Sequence, residues 1–219
     1  MNTHVYTVSL SEKQVFLAQI AAMHDFSSVQ LMVPNLASVH IVDDAPHAHL
    51  SVAITVGREA SVIYKGVFEA HNAQHAQREV SVYCNEVASS ATIEIACHTS
   101  DTASLVVTTM QYHGASHTTS SARIMGVSKK NSKTTVTSTI FIAEKCAGVT
   151  ARQVHKHLLL DQGARAVSVP ALDILSDDVS CSHGSAIAHI DPLHLFYLQA
   201  RGLDEETARD AIIKAFLAI

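Results

Sequence analysis

A cysteine and a histidine stand two residues apart near the C-terminus, in the polar segment SDDVSCSHG. Side chains in an extended strand repeat every second residue, so Cys181 and His183 are expected on one face with their Cβ atoms about 7 Å apart. A thiolate sulfur and an imidazole nitrogen both bind iron. The spacing therefore predicts that both side chains can reach one iron atom, although a strand cysteine is also commonly a small buried hydrophobe.

The same segment contains Asp178 and Ser182, which together with a histidine are the residue types of a hydrolytic triad. Neighbouring strand residues point to opposite faces, so Ser182 and His183 cannot easily share a proton, and the chain has no nucleophile elbow. Asp177 and Asp178 are better explained as residues that cap or solvate a turn. We therefore do not expect hydrolytic chemistry here.

The chain has 15 histidines and four cysteines, a composition that raises the question of a metal site. It has no HExxH segment, no CxxC pair and no closely spaced Cys/His box, which argues against structural zinc, metal storage and a disulfide framework. The cysteines are expected to be reduced, and scattered histidines are expected to face solvent from the strands. The histidines considered are His71, His75, His113, His117, His155 and His157, the last two forming a polar ladder along one face.

A stack of strands is predicted to position these residues. From about residue 50 the chain consists of short segments with alternating apolar and polar residues, such as LSVAITVG, ATIEIAC and TTVTSTIFIAE. Such spacing is typical of sandwiches, barrels and solenoids. Antiparallel hairpins favour Asn-Gly or Asp-Gly turns, and this chain has neither. The pattern therefore favours a mainly β protein with a parallel β-helix, although no strict repeat is visible.

After residue 190 the apolar residues recur at helical spacing. Asp191 and Pro192 suit the cap and first position of one helix, Gly202 suits its end, and Asp204 suits the cap of a second helix. Each helix has a predicted apolar face. The faces comprise Leu193, Phe196, Tyr197 and Ala200, and then Ala208, Ala211, Ile212, Ala215 and Phe216. A short helical hairpin is thus expected to cover the last coil or dock a partner.

The first residues carry less information. A helix capped by Ser11 is expected through SEKQVFLAQIAAMH. The predicted boundaries are 1–48 for an N-terminal lead-in, 49–190 for the β-helix core and 191–219 for the helical segment.

The composition excludes several classes of protein. Hydrophobic residues make up 47% of the chain and charged residues only 16%, which indicates an ordered globular protein. A formal net charge of −5 gives no reason to expect a nucleic acid or an anionic membrane as partner. No apolar run is long enough to span a bilayer and the N-terminus does not read as a signal peptide, so a cytoplasmic location is the default expectation.

The segment PALDILSDDVSCSHGSAIAHIDPLHLFYLQARGL, from Pro170 to Leu203, resembles the C-terminal signature of the SufB/SufD family of iron–sulfur cluster assembly proteins. A P-x-L-x-I segment leads into DDV-x-CSHG, then ID, LFYL and an RGL turn. The resemblance implies a right-handed parallel β-helix with a C-terminal helical segment. It also implies a non-enzymatic scaffold role beside a SufB-like subunit and a SufC-like ATPase, or in a homodimer when the chain is isolated.

The resemblance also implies roles for individual residues. SufB-type proteins carry a cysteine shortly before the Val-Pro step, where this chain has Ala164, and the CSHG segment is the SufD pattern. In a SufD-like chain, His183, with Cys181 as a second candidate, would contribute to a transient iron–sulfur cluster at the SufB interface, and no cofactor would be bound stably. The helical end would contact the ATPase through residues that otherwise simply pack: Phe196, Tyr197, Arg201, Leu203 and Phe216.

The chain departs from the family pattern in two respects. SufD proteins are usually longer, with an N-terminal helical domain and more coils, and the usual HGA-T-x-G becomes HGSAIA, so that Ala188 replaces a glycine. A shortened or divergent SufD-like protein is the simplest explanation. The alternative is a β-solenoid enzyme or ligand-binding protein unrelated to cluster assembly, but such proteins usually carry converging carboxylates or a basic groove on one face, and the sequence shows no such row.

Overall fold

The structure is a computed structural model that describes residues 3–9, 12–23, 27–45 and 48–217. Its helices and strands, in chain order, are β1 Thr3–Thr7, β2 Gln14–Phe16, α1 Leu17–Met23, β3 Ser28–Val33, β4 Ser38–Asp43, β5 His49–Val56, β6 Ser61–Ala70, β7 His75–Cys84, β8 Ser90–Thr99, β9 Ser104–His113, β10 Thr119–Ser128, β11 Lys133–Ile142, β12 Val149–Leu159, β13 Arg165–Ile174, β14 Val179–His189, α2 Pro192–Ala200 and α3 Glu205–Leu217.

The strands form two seven-stranded sheets, one from the odd-numbered strands and one from the even-numbered strands. Each strand pairs in parallel with the strand two places further along the chain, as β6 does with β8 and β7 with β9. The chain therefore alternates between the two sheets as it advances, which makes a β-solenoid. The predicted parallel β-helix is confirmed.

The central coils have a constant length that the sequence analysis missed. Ser61 pairs with Ser90 and Ser90 with Thr119, each partner lying 29 residues further along the chain. In the other sheet, His75 pairs with Ser104 and Ser104 with Lys133 at the same interval. Because the residues that recur at this interval differ in type, as His75, Ser104 and Lys133 do, the period is hidden in the sequence.

The corners between the sheets explain why the chain lacks the usual glycine turns. Glu59, Ala88 and His117 occupy equivalent corners and have φ values of 54°, 58° and 58°. Asn72 and Asp101 occupy the opposite corner, with φ values of 58° and 61°. Non-glycine residues adopt this left-handed conformation at a cost of roughly 1–2 kcal/mol each. The regular stacking of the coils therefore holds corners that local sequence preference would not predict.

The core lies between the two sheets. Along β5, β6 and β11 buried residues alternate with more exposed ones, as the period of two requires. The inward side chains of the early coils are mostly apolar, for example Leu31, Ile54 and Ile93, all fully buried. One ionic cluster interrupts them, because Asp43 accepts a hydrogen bond from Tyr64 and lies 3.3 Å from the Arg78 guanidinium.

The N-terminal lead-in differs from its prediction. Strands β1 to β4 already belong to the two sheets, and β3 pairs directly with β5 across the predicted boundary at residue 48. The helix is limited to Leu17–Met23, because Gln14–Phe16 instead pairs with β4 as a strand. The expected cap Ser11 lies outside the described residues.

The C-terminal helical hairpin is observed as predicted. Asp191 caps α2 by accepting a hydrogen bond from the Leu193 amide, and Asp204 caps α3 by accepting one from the Thr207 amide. Gly202 between the helices has a φ of 96°, a conformation that favours glycine. No helix in the described residues is long and apolar enough to cross a membrane.

Candidate functional site

The last coil, formed by β13 and β14, ends both sheets. Strand β13 pairs only with β11 and β14 only with β12 within the described residues. The other edge of each strand therefore presents backbone amide and carbonyl groups with no strand beside them. Such edges are surfaces on which a further strand can pair.

His183 and Cys181 share one face of β14, as predicted. His183 is in register with Gln153 and Cys181 with Ala151, both of which point into the solenoid. Although His183 faces inward, its side chain is exposed because no coil follows it. The strand thus presents an imidazole at the open end of the interior.

Ser182 lies on the opposite, outward face of β14, in register with the exposed Arg152. This arrangement agrees with the exclusion of a hydrolytic triad. The backbone of the preceding turn is used structurally, since the Asp177 carbonyl accepts from the Val179 amide at 3.1 Å and the Asp178 carbonyl accepts from the Gly148 amide at 2.8 Å.

The interior behind His183 is polar. Gln111, His113, Gln153 and His155 are fully buried, and His157 is nearly so. The His155 Nδ1 lies 2.8 Å from the Ser168 Oγ, and the Gln153 amide donates to the Ala171 carbonyl at 3.0 Å.

These interior imidazoles are held neutral at physiological pH. Burial, with smaller contributions from His157 and His183, lowers the pKa of His155 to about 4. Burial alone lowers the pKa of His157 and of His113 to about 4. Because a neutral imidazole has one nitrogen with a free lone pair, these side chains can accept a hydrogen bond as well as donate one.

Cys181 is less suited to binding iron than the sequence suggested. It is half-buried and packs against the apolar cluster that includes Ile140, Val149 and Ala151. Burial raises the pKa of the Cys181 thiol, an effect partly offset by the hydrogen bond from the Ala151 backbone. Because the thiolate is the metal-binding form, Cys181 would need a nearby cation or metal to lose its proton.

The described residues do not form a complete metal site. In them, no group of three or more His, Cys, Asp or Glu side chains is placed to hold a metal ion. His183 and Cys181 together supply at most two ligands.

The expectation that the strand histidines face solvent is wrong for His113, His155 and His157. His113 bonds inside the solenoid to the Thr118 and Ser120 hydroxyls, at 2.7 and 2.8 Å. His155 and His157 do share a face, but that face is the interior. In the sequence, polar residues at every second strand position look the same whether they point into the solenoid or toward solvent. The two cases can be told apart only when the coils are aligned.

The two terminal helices differ in how much apolar surface they bury. Helix α3 packs on the solenoid through Ile213, which contacts the cluster of Val127 and Leu158, and Phe216 lies against the same cluster. Of the predicted face, Ala208 is buried and Ile212 packs on the solenoid as Phe216 does, whereas Ala211 and Ala215 are exposed and Ile213 is buried instead.

Helix α2 has no buried residue. Its apolar side chains Leu193, Phe196 and Tyr197 are 72%, 68% and 57% exposed, and the Arg201 guanidinium lies 5.2 Å from the centre of the Tyr197 ring. Leu203 is half-buried in the turn that follows. An exposed aromatic and aliphatic face on a helix is typical of a protein interaction surface.

The comparisons with known proteins agree with this architecture. The family model described as SUF system FeS cluster assembly, SufBD core domain, matches residues 18–216. Protein ABCI7, chloroplastic, of Arabidopsis thaliana is 50% identical over 66 residues, which is 30% of this chain and 14% of that protein. The iron–sulfur cluster assembly protein SufD of Escherichia coli is 35% identical over 79 residues, or 36% of this chain and 19% of that protein.

The iron–sulfur cluster assembly protein SufB of Bacillus subtilis is 28% identical over 105 residues, which is 48% of this chain and 23% of that protein. The matches therefore span less than a quarter of the length of these three relatives. Both SufB and SufD proteins are among them.

Proposed function

The chain belongs to the SufBD core family of the SUF iron–sulfur cluster assembly system, and we propose that it is a SufD-like scaffold subunit of a SUF-type assembly complex. In this role it catalyses no reaction itself. It pairs with a SufB-like chain at the open coil and with a SufC-like ATPase at the helical hairpin. The observation that carries the proposal is the exposed His183 between the two unpaired strand edges of β13 and β14.

Pairing at the open coil would complete a site that this chain leaves incomplete. A SufB-like partner that adds a strand beside β14 would cover His183 and bring its own cysteine thiolate close to the imidazole. The nascent cluster is the cargo of such an interface rather than a resident cofactor. His183 would supply a nitrogen ligand, while Cys181 would contribute only if the bound metal lowered the pKa of its thiol.

The SufD-like assignment, rather than a SufB-like one, rests on the CSHG segment and on Ala164. This alanine is buried, 5% exposed, just before β13. A side chain with no thiol at this place would not accept or transfer sulfur. The chain would therefore depend on its partner for the reactive cysteine.

The exposed face of α2 would bind the ATPase. Phe196, Tyr197 and Arg201 are its candidate contact residues, and Leu193 lies beside them with the largest exposed fraction of the three apolar side chains. Phe216 packs on the solenoid, so it would hold the hairpin in place rather than touch a partner. Movement of the ATPase would then be transmitted through α3 to the last coils, on which α3 packs.

The test is anaerobic co-expression with a SufB-like and a SufC-like chain, followed by purification through a tag on this chain. We expect a ternary complex in which replacing Phe196 and Tyr197 by Ser removes the ATPase and retains the SufB-like chain. Aromatic residues central to an interface contribute about 2 kcal/mol or more each, so the ATPase yield should fall at least about tenfold.

The matched control replaces Val67, an apolar side chain that is 63% exposed on the solenoid body, by Ser. It should leave both partners bound. Unchanged ATPase recovery with the folded α2 variant would contradict the role of the hairpin, and a chain that purifies alone or only as a homodimer would contradict the proposal as a whole.

A further inference from the structure

A cluster of cations lies on the outward face of the even-numbered sheet, near its C-terminal end. Arg152 and Lys156 project outward from β12, and Arg123 projects outward from the adjacent strand β10. Together with Ser121, Met125 and Val154 they line a shallow hollow of about 320 Å³. Strands β10, β12 and β14 contain no Asp or Glu, so within the described residues the only carboxylate paired with these cations is that of Glu94 on β8, which lies 3.2 Å from the Arg123 guanidinium.

A local excess of cations is unusual on the surface of a chain whose formal net charge is −5. On the neighbouring strands charges alternate, because the Glu94 carboxylate lies 2.9 Å from the Lys65 ammonium and 3.2 Å from the Arg123 guanidinium. The next residue in this row is Val154, where an acid would continue the alternation. Within the described residues neither Arg152 nor Lys156, the cations on each side of it, lies in an ion pair.

The surface beside the cations is open toward β14, and helix α3 bounds it at the other end, where it covers the outward side chains of Val127 and Leu158. The outward residues of β14 next to Arg152, Val154 and Lys156 are Ser182, Gly184 and Ala186, and a Cβ added at Gly184 would meet no atom within 4 Å. No large side chain therefore screens the cations on that side. The remaining outward positions of β14, Ser180 and Ala188, are also small and exposed.

The spacing of the cations matches an extended acidic segment. Arg152 and Lys156 are four residues apart on one strand, roughly 13 Å, and Arg123 lies level with their midpoint about 4.8 Å to the side. An extended peptide that runs parallel to β12 has the same rise per residue. Acidic side chains at its positions i, i+2 and i+4 point to one side and would meet the three cations in turn.

We propose that this face binds an extended acidic protein segment whose carboxylates alternate with other residues, with Arg152, Arg123 and Lys156 as the cations that pair with them. The outward faces of β10, β12 and β14 carry no aromatic side chain on which a base could stack, so a single-stranded nucleic acid is a poorer fit. The surface lies on the side of the sheet opposite to that of His183. Its occupant is therefore separate from the cluster chemistry proposed above, and either proposal can fail without the other.

The test uses two fluorescently labelled peptides of equal composition and charge, one with three Glu separated by Ser and the other with the three Glu contiguous. Binding to the full chain is measured by fluorescence anisotropy at low ionic strength, where exposed ion pairs are screened least. We expect the alternating peptide to bind at least about threefold more tightly than the contiguous one, because only its carboxylates match the spacing.

The double variant Arg152→Glu and Lys156→Glu should weaken binding of the alternating peptide by at least about tenfold, since it turns two attractions into repulsions. The matched control, Lys133→Glu and Arg165→Glu, makes the same change in net charge on the outward face of the other sheet. It should leave the affinity within about twofold, because these exposed charges are far from the bound peptide and are screened by salt.

The following results of these binding measurements would overturn the proposal. They are no binding of the alternating peptide, equal binding of the two peptides, equal losses in the two double variants, and displacement by inorganic phosphate at matched charge, which would indicate a simple anion site. Tighter binding of a thymidine oligonucleotide that depends on Arg152 and Lys156 would assign the surface to a nucleic acid instead.

Discussion

The first and last coils of the solenoid have the same backbone but different interiors. In one inward column the residues run from Ile95 and Ile124 to His155 and Ser185, and in another from Tyr64 and Ile93 through Ala122 to Gln153 and His183. Each column thus becomes more polar toward the C-terminus. The architecture is set by strand pairing and corners, so the chemistry of the interior is free to change along it.

The two regions are expected to differ in their contribution to the free energy of unfolding. Both ring nitrogens of His157 and both amide atoms of Gln111 have no hydrogen-bond partner within the described protein. A buried polar group without a partner costs roughly 1–3 kcal/mol. The last coils are therefore expected to contribute less stability than the first ones, and they are the coils that lie behind His183. Natural proteins depart from ideal packing mainly where function requires it.

The largest change in the free energy of unfolding is expected when a polar residue type of the last coils is introduced into an earlier coil. Ile95, Ile124 and His155 follow one another in one inward column. Replacing Ile95 by His removes a buried apolar side chain and adds an unpaired imidazole, which should lower the free energy of unfolding by about 3–5 kcal/mol. Urea denaturation measures the change.

The reverse substitution, His155→Ile, is the control for that experiment. It restores the apolar residue type of the column and should change the free energy of unfolding by less than about 1.5 kcal/mol. Equal losses in the two variants would show that the two interiors do not differ as described.

The second effect is a loss of stability in acid to which the last coils contribute through His155 and His157. His155 and His157 have pKa values of about 4 in the folded protein, below the usual imidazole value of about 6.5, so folding favours their neutral forms. This contribution is complete above about pH 6.5 and is lost as the pH falls toward 4. Each imidazole accounts for up to about 3 kcal/mol.

Urea denaturation between pH 7 and 4 would measure that dependence. His155→Leu should make the stability curve shallower over this window, whereas His49→Asn, at an exposed position, should leave its slope unchanged. Curves of the same slope for the wild type and His155→Leu would refute the assignment of the acid sensitivity to the interior.

A smaller change, a gain in stability, is expected when one buried polar side chain is replaced by an apolar one. Gln111 stands in register with Val82 and Ile140, both buried and apolar. Gln111→Leu should raise the free energy of unfolding by about 1–3 kcal/mol, because it removes amide atoms that have no protein partner. Differential scanning calorimetry would detect the higher midpoint, and a decrease would show that the amide is satisfied in solution.

The smallest effect tests the claim that the backbone is the same in both regions. Ala88 and Lys145 occupy left-handed corners, with φ values of 58° and 63°, in an early and a late coil. Replacing either by Gly should raise the free energy of unfolding by about 0.5–1 kcal/mol, because glycine adopts this conformation without strain. Clearly different responses at the two corners would mean that the coils differ in backbone as well as in side chains.

The sequence predicted the fold well because the fold depends on local patterns. Strict alternation in segments such as ATIEIAC, together with the absence of hairpin turns, was enough to favour parallel coils. The cap residues Asp191 and Asp204 located both terminal helices. In contrast, the apolar run around Leu17 predicted a helix longer than the one observed. The three residues before Leu17 instead pair with β4, a contact between segments that are distant in sequence.

The site was predicted less completely. Alternation placed Cys181 and His183 on one face, but whether that face was interior or exterior depended on register across coils of 29 residues that lengthen to 31 and 30 residues before β12 and β14. For the same reason the burial of Gln111 and His113 was missed. Alignment of the segments at that period would have placed Gln111 in a column of Ile and Val.

The proposed role of the open coil is to present His183 to a partner that completes the cluster site. The most direct measurement is the visible absorption of the ternary complex formed anaerobically with SufB-like and SufC-like chains, with wild-type protein and with His183→Ala. We expect the variant to assemble the complex but lose the iron–sulfur absorption, because an exposed side chain contributes little to folding. An assembled complex with undiminished absorption would contradict the claim.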